Sequence, residues 1–372
     1  MTSEVLPNLL SLQEAVNAAL AKLDVEDFAA RVWKNDPTLW TTDPTAQAQL
    51  AGRLGWLDLP DTMQSRGPDL LELAQSIKDE GYKHIVLLCL DNSSLGGVVL
   101  WQSLGNVSGY PELVVVDATE PGFSLRQDHP FDYETTIFVI SSVTGSPDRL
   151  PALVECFERV SAVRGEQAGE NFIAITNPGT ALERVGRERK FREVYLNPPG
   201  IGGLYLALSY SGLVPAALAG YNVREMLSRA AIMAEECLKP GLDNPGLHLG
   251  CILGSAAMQD RRRIRLILPP SVESFKLWVN QLLAGSLGRA LDPVPPGFDG
   301  LTVADEDCLF VSLQVNGQKD SQSEELLKQL EEASHPVVRL RLQDLSDLTA
   351  EFFRWQFAIL VAAAVLEINP FD

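Results

Sequence analysis

Blocks of unbroken apolar residues recur along this chain, separated by stretches with helical spacing. HIVLLCL (84–90), LVVV (113–116), TIFVI (136–140) and FIAI (172–175) are apolar runs of strand length. A strand that alternates apolar and polar residues has one wet face, whereas an unbroken run predicts a strand covered on both faces. LLELAQSIKDEG, closed by Gly81, and residues 150–163 carry helical periodicity. Strands and helices in this order predict a parallel sheet wrapped by helices.

A second set follows a boundary near residue 220. REMLSRAAIMAEECL (224–238), SFKLWVNQLLAGSLG (274–288) and SEELLKQLEEA (323–333) read as helices, and IRLIL (264–268), CLFVSL (308–313) and PVVRLRL (336–342) as strands. DLTAEFFRWQFAILVAAAVL closes the pattern as a long helix, whose most apolar part, Phe357 to Leu366, is about half a membrane span and reads as a core helix. Residues 1–60 read as helices with Asp-Pro breaks, and Trp33, Trp40 and Trp56 there are bulky enough to pin an arm onto a larger body.

Composition narrows the function classes. Of 372 residues, 46% are hydrophobic and 21% charged, with a formal net charge of −19. A surface this acidic repels phosphate backbones and anionic lipid, which argues against nucleic-acid and membrane-surface binding. The start, MTSEVLPNLLSLQEAV, lacks the basic segment of a signal peptide. Cys89, Cys156, Cys237, Cys251 and Cys308 form no CxxC pair, and most sit in apolar runs as buried thiols would. The expectation is a cytoplasmic protein with no metal site and no cofactor.

Candidate chemistry sits where strands give way to turns. DNSSLGG (91–97) follows one predicted strand and SSVTGSP (141–147) another. Hydroxyls and N–H groups at a helix start can cradle an anion, but Ser and Thr also cap helices that hold no ligand. In NPPGIGGLYLALSYSGLVPAALAG (197–220), Gly202 and Gly203 would permit close backbone approach, or simply make a tight turn. His84, His129, His248 and His335, and the basic run Arg261, Arg262, Arg263 and Arg265, read as structural or solvated.

These stretches together carry a resemblance. SSLGG, FVISSVTG, FIAITNPGT, GIGGLYLALSYSGLVPAAL, NPGLHLG, LWVNQLLAGSLG and FFRWQFAILVAAAVLEINPFD, with RVWKNDPTLW and LGWL before them, resemble phosphoglucose isomerases in order and spacing. The resemblance is closer to the isomerase half of bifunctional transaldolase–phosphoglucoisomerase proteins. It implies an α/β protein of two sugar-isomerase (SIS), flavodoxin-like domains, each a parallel sheet with helices on both faces. On this chain they would span 63–220 and 221–372, after an N-terminal helical arm over 1–62. It also implies a hexose-phosphate cleft, and interconversion of glucose 6-phosphate and fructose 6-phosphate. That reaction needs a carboxylate to move a proton between C1 and C2 and a cation to stabilise the enediolate.

Residue by residue, the match is uneven. Ser93, Ser94, Ser142, Thr144 and Ser146 fall on the family's phosphate turns. Asp91 and Asn92 replace two glycines there, Val143 replaces a lysine and Pro147 a threonine. A carboxylate beside a phosphate costs about 1–4 kcal/mol of Coulomb energy. The family's arginine after the GG of GIGG is Leu204 here, and its base glutamate, in a run like AESTGK, is Gly285. Neither leucine nor glycine can do that chemistry, and each loss costs roughly 10²–10⁴-fold in rate.

The expectation is a catalytically impaired family member. Three roles remain: a sugar-phosphate-binding or regulatory homologue, an aldose–ketose isomerase still active through substitute groups, and a structural partner of a transaldolase or an active isomerase. A homodimer or an association of that kind would be its assembly.

Overall fold

A computed structural model describes residues 5–50, 52–118, 131–293 and 306–371; His129 and Asp372 lie outside them. Ten strands occur among the described residues: β1 Val5–Asn8, β2 His84–Cys89, β3 Glu112–Asp117, β4 Thr136–Ser142, β5 Phe172–Thr176, β6 Glu193–Leu196, β7 Arg263–Ile267, β8 Asp292–Pro293, β9 Cys308–Val315 and β10 Val337–Leu342. The chain divides into two compact units, Asp58–Leu227 and Met1–Leu57 with Ser228–Asp372.

In the unit Asp58–Leu227 the strand order is β3-β2-β4-β5-β6, and every pairing is parallel. This is the flavodoxin-like order, with the second strand outside the first. β4 and β5 are buried at every position, as unbroken apolar runs require. Phe138 and Phe172 stack at 5.3 Å, and Phe157 and Phe191 extend the aromatic layer from the helical side. Burial of each such ring contributes about 1.5–3 kcal/mol. The register pairs Cys89 with Ser141, so the turns that follow β2 and β4 leave the sheet side by side.

The other unit repeats the theme with the order β1-β10-β9-β7-β8. Its pairings are parallel except at one edge, where β1 runs antiparallel to β10. β1 corrects the expectation that the N-terminal residues are only helices and turns. VLPN carries a proline, which a strand tolerates at an edge. β6 and β8 also fall outside the sequence expectation. EVYL is short and only partly buried, and β8 has two residues, one of them proline.

The helix Pro245–Met258 is likewise absent from the sequence expectation, and it lines the core of this unit against the helix Leu348–Val365. Gly246, Gly250 and Gly254 fall on one face. A Cβ at these positions would meet Phe357 at 2.7 Å, Val361 at 2.4 Å and Val365 at 2.6 Å. Four-residue spacing of small residues lets two helices close to backbone contact. The helix Leu348–Val365 is long and apolar enough to cross a membrane, yet it is buried in the unit. Trp40 Nε1 donates to the Leu360 carbonyl at 2.9 Å, Trp33 packs on Phe357 and Trp56 on Phe353. Three N-terminal tryptophans thus hold residues before 58 to this helix.

Candidate functional site

In the unit Asp58–Leu227 the chain lays β3 on one side of β2 and β4, β5 and β6 on the other. Turns leaving the carboxyl ends of β2 and β4 therefore diverge, and the crevice between them is where such sheets bind ligands. Both hydroxyl-rich turns singled out from sequence open there.

The first turn is set by Asp91. Its backbone is extended, and its Oδ1 accepts the Ser93 N–H at 3.0 Å, capping the short turn Asn92–Ser94 that leads into the helix Leu95–Leu104. An aspartate before two serines is a strong capping choice, because its carboxylate reaches the N–H two residues on. Ser93 and Ser94 are buried beneath it.

The second turn closes on the same carboxylate. Ser142 Oγ donates to Asp91 Oδ2 at 2.8 Å, and Thr144 N–H points at that oxygen at 3.4 Å. Ser142 Oγ in turn accepts the Gly145 N–H at 2.9 Å, and the Thr144 hydroxyl lies 3.4 Å from it. Gly145 has φ +50, and a Cβ there would stand 2.6 Å from the Thr180 side chain, so no other residue fits. Ser146 donates its hydroxyl to Asp148, which lowers the Asp148 pKa below the ordinary carboxylate value.

The structure thus brings Ser93, Ser142 and Thr144 together around one carboxylate, with Ser94 buried in the first turn and Ser146 turned to another carboxylate. Asp91 is held by two backbone N–H groups and one hydroxyl, the neutral donors that would hold a phosphate oxygen. From sequence, Asp91 reads only as a repulsive charge. Its position before the serines is the signal that it would also take their donors.

Leu204 sits partly buried in the short turn Gly203–Tyr205, which follows β6 in the same unit. At Gly202 and Gly203 the nearest atoms to an added Cβ lie at 3.9 and 3.6 Å, ordinary contact distances, and at Gly203 that neighbour is Ser93. The enforced approaches are elsewhere. A Cβ at Gly96 would lie 2.6 Å from Ala207, and one at Gly212 1.9 Å from the Ala207 carbonyl. The helices Leu95–Leu104 and Tyr210–Leu218 meet at Gly97, where a Cβ would lie 2.9 Å from the Ser211 carbonyl and 3.3 Å from the Pro215 side chain.

Sequence reasoning missed Asn197. It is buried, its Oδ1 accepts from Ser209 at 3.1 Å and its Nδ2 donates to Ser211 at 3.2 Å. This network ties the end of β6 to the start of the helix Tyr210–Leu218. The sole hint was Asn197 directly after a strand, with SYS following.

Gly285 belongs to the other unit, exposed on the helix Phe275–Leu287. That unit has its own switch point between β7 and β9, and a cavity of about 620 Å³ runs along the helix Ser321–Glu332, lined by Ser312, Gln318, Asp320, Lys328, Glu331 and Arg339 among others. The basic run is engaged locally. Arg261 donates to the carbonyls of Glu306 and Cys308, Arg262 pairs with Asp260, and Arg263 pairs with Asp307. Burial lowers the His248 pKa, which disfavours a charged imidazole.

No family model matches the chain. A glucose-6-phosphate isomerase of Carboxydothermus hydrogenoformans is 27% identical over 256 residues, covering 65% of this chain and 54% of the relative. The chain spans about half the length of the curated relatives it matches. Among solved structures, a hypothetical protein of Thermus thermophilus superposes with TM-score 0.79 at 19% identity, covering 99% of this chain and 96% of that one. A glucose-6-phosphate isomerase of Chlamydia trachomatis superposes with TM-score 0.64 at 16% identity, covering 93% of this chain and 75% of its own. The chain is thus similar in sequence to glucose-6-phosphate isomerases, and its fold matches that of one of them.

Proposed function

We propose that this chain is a catalytically silent relative of the glucose-6-phosphate isomerases, serving by binding or interaction and not by turnover. The observation that carries this reading is Asp91, whose carboxylate engages the donors of both phosphate turns. A hexose phosphate that entered the crevice would have to displace an anion that is part of the protein, or sit beside it.

The residues at the family's reacting positions support the same reading. Aldose–ketose isomerisation moves a proton between C1 and C2 through an enediolate. A base takes the proton, and a cation meets the developing oxyanion. Leu204 presents a hydrocarbon where the cation belongs, and Gly285 presents no side chain where the base belongs. Losing both leaves a barrier higher by several kcal/mol, since each factor of ten in rate is about 1.4 kcal/mol.

The test is a coupled assay on purified full chain with fructose 6-phosphate, in both directions of the reaction. The expected result is no turnover above the protein-free control. Saturable turnover that follows the protein through purification and is lost with Ser142→Ala would overturn the reading.

A further inference from the structure

We infer that Asp91 is the specificity-determining residue of this crevice: a built-in anion that fills the phosphate seat and closes it to phosphorylated ligands. The inference rests on the sugar-isomerase reading of the two turns and says what that site has become.

An anion seat in this fold is a convergence of N–H and hydroxyl donors at the carboxyl ends of the strands flanking the switch point. Here the convergence is intact and occupied. Ser93 N–H, Ser142 Oγ and Thr144 N–H all address the Asp91 carboxylate, from turns 51 positions apart in sequence. Both of its oxygens are used, one on each turn, so the carboxylate bridges the crevice. Its partners are neutral donors, so its own charge stands at the seat.

A second observation points to a seat that held more than one carboxylate can. Ser93 Oγ is buried, with the residue only 3% exposed, and has no hydrogen-bond partner. A buried hydroxyl normally finds one. A carboxylate offers two acceptor oxygens, whereas a phosphate monoester offers three. Ser94 Oγ and Ser141 Oγ, on the same two turns, are likewise buried without a hydrogen-bond partner. Asp91 therefore substitutes for a phosphate incompletely, and removing it leaves a seat with donors from both turns. Of the binding and interaction roles, this favours one in which no sugar phosphate is held.

The experiment is calorimetric titration of the full chain, and of Asp91→Gly and Asp91→Asn, with inorganic phosphate and with fructose 6-phosphate at millimolar concentration. Asp91→Asn keeps an oxygen that can cap Ser93 N–H while removing the charge, so it guards against a variant that fails only by unfolding. Circular dichroism confirms that each variant is folded. The expected result is no saturable binding by the natural chain and a gain of about tenfold or more in phosphate affinity in both variants. Phosphate binding by the natural chain as tight as in the variants would overturn the inference. So would folded Asp91→Gly and Asp91→Asn that both remain without phosphate affinity. Neither result depends on turnover, so the inference and the catalytic reading fail separately.

Discussion

The Asp91 carboxylate accepts the Ser142 hydroxyl at 2.8 Å, and that one bond joins the turns after β2 and β4. Ser142 is fully buried and also accepts the Gly145 N–H. Its hydroxyl therefore links a carboxylate to the N–H of a glycine in the left-handed region. Ser142→Ala would leave the Gly145 N–H without this acceptor and one Asp91 oxygen without its hydroxyl donor. We expect a loss of about 1–3 kcal/mol in denaturant unfolding, the cost of buried groups left unpaired. An unchanged midpoint would mean that water takes over the role of the hydroxyl.

The glycine face of the helix Pro245–Met258 should tolerate no side chain. A Cβ at Gly250 would lie 2.4 Å from Val361 Cβ and 2.5 Å from the Ala358 carbonyl. Both contacts are to a buried helix that cannot yield cheaply. Gly250→Ala should destabilise by about 1–3 kcal/mol and Gly250→Val by more, the range seen when a packed core is overfilled. Thermal melts of the two variants check this; equal melting temperatures would show that the helices move apart freely.

Acid should weaken the contact between Glu80 and Arg192. The two form a paired interaction, with both distances at 2.7 Å, and the Arg192 guanidinium holds the Glu80 carboxyl down to about 2 from an ordinary 4.5. A depressed carboxylate contributes stability that is fully present above its unfolded value and lost as pH falls through the folded one. The window is therefore roughly pH 4.5 down to 2. Glu80 is 43% exposed, so solvent screening reduces the contribution to about 1 kcal/mol. Arg192→Met should cost that amount at pH 7 and much less near pH 2. A difference that persists in full at pH 2 would assign it to packing of Arg192 over the Tyr82 ring, which lies 5.3 Å away.

The thiols should be silent in the folded protein. Cys89, Cys156, Cys237, Cys251 and Cys308 are free and buried. Burial pushes the first four up to about 12, far from the thiolate form at neutral pH. A thiol reagent at pH 8 should label none of the five until denaturant is added. Rapid labelling of the native chain would contradict the packing around them.

The apolar runs made most of both sheets legible. HIVLLCL, TIFVI and FIAI became buried strands because only a doubly covered strand can hide such sequences, and the hydroxyl turns followed at their carboxyl ends. β1, β6 and β8 were not legible, since short edge strands bury too little to leave a pattern. The helix Pro245–Met258 was hidden because its signal is a glycine spacing that matters only once its partner is in place. Asp91 was visible as a charge but not as an acceptor, because its second bond depends on a register pairing between strands that sequence does not print.

On the proposed reading, this chain moves no proton between C1 and C2 of a hexose phosphate. Incubation with fructose 6-phosphate in deuterated water, followed by magnetic resonance of the sugar, detects a single proton transfer even when no product leaves. No deuterium should appear at C1 beyond the protein-free rate. Incorporation that scales with protein and disappears in Ser142→Ala would overturn that reading.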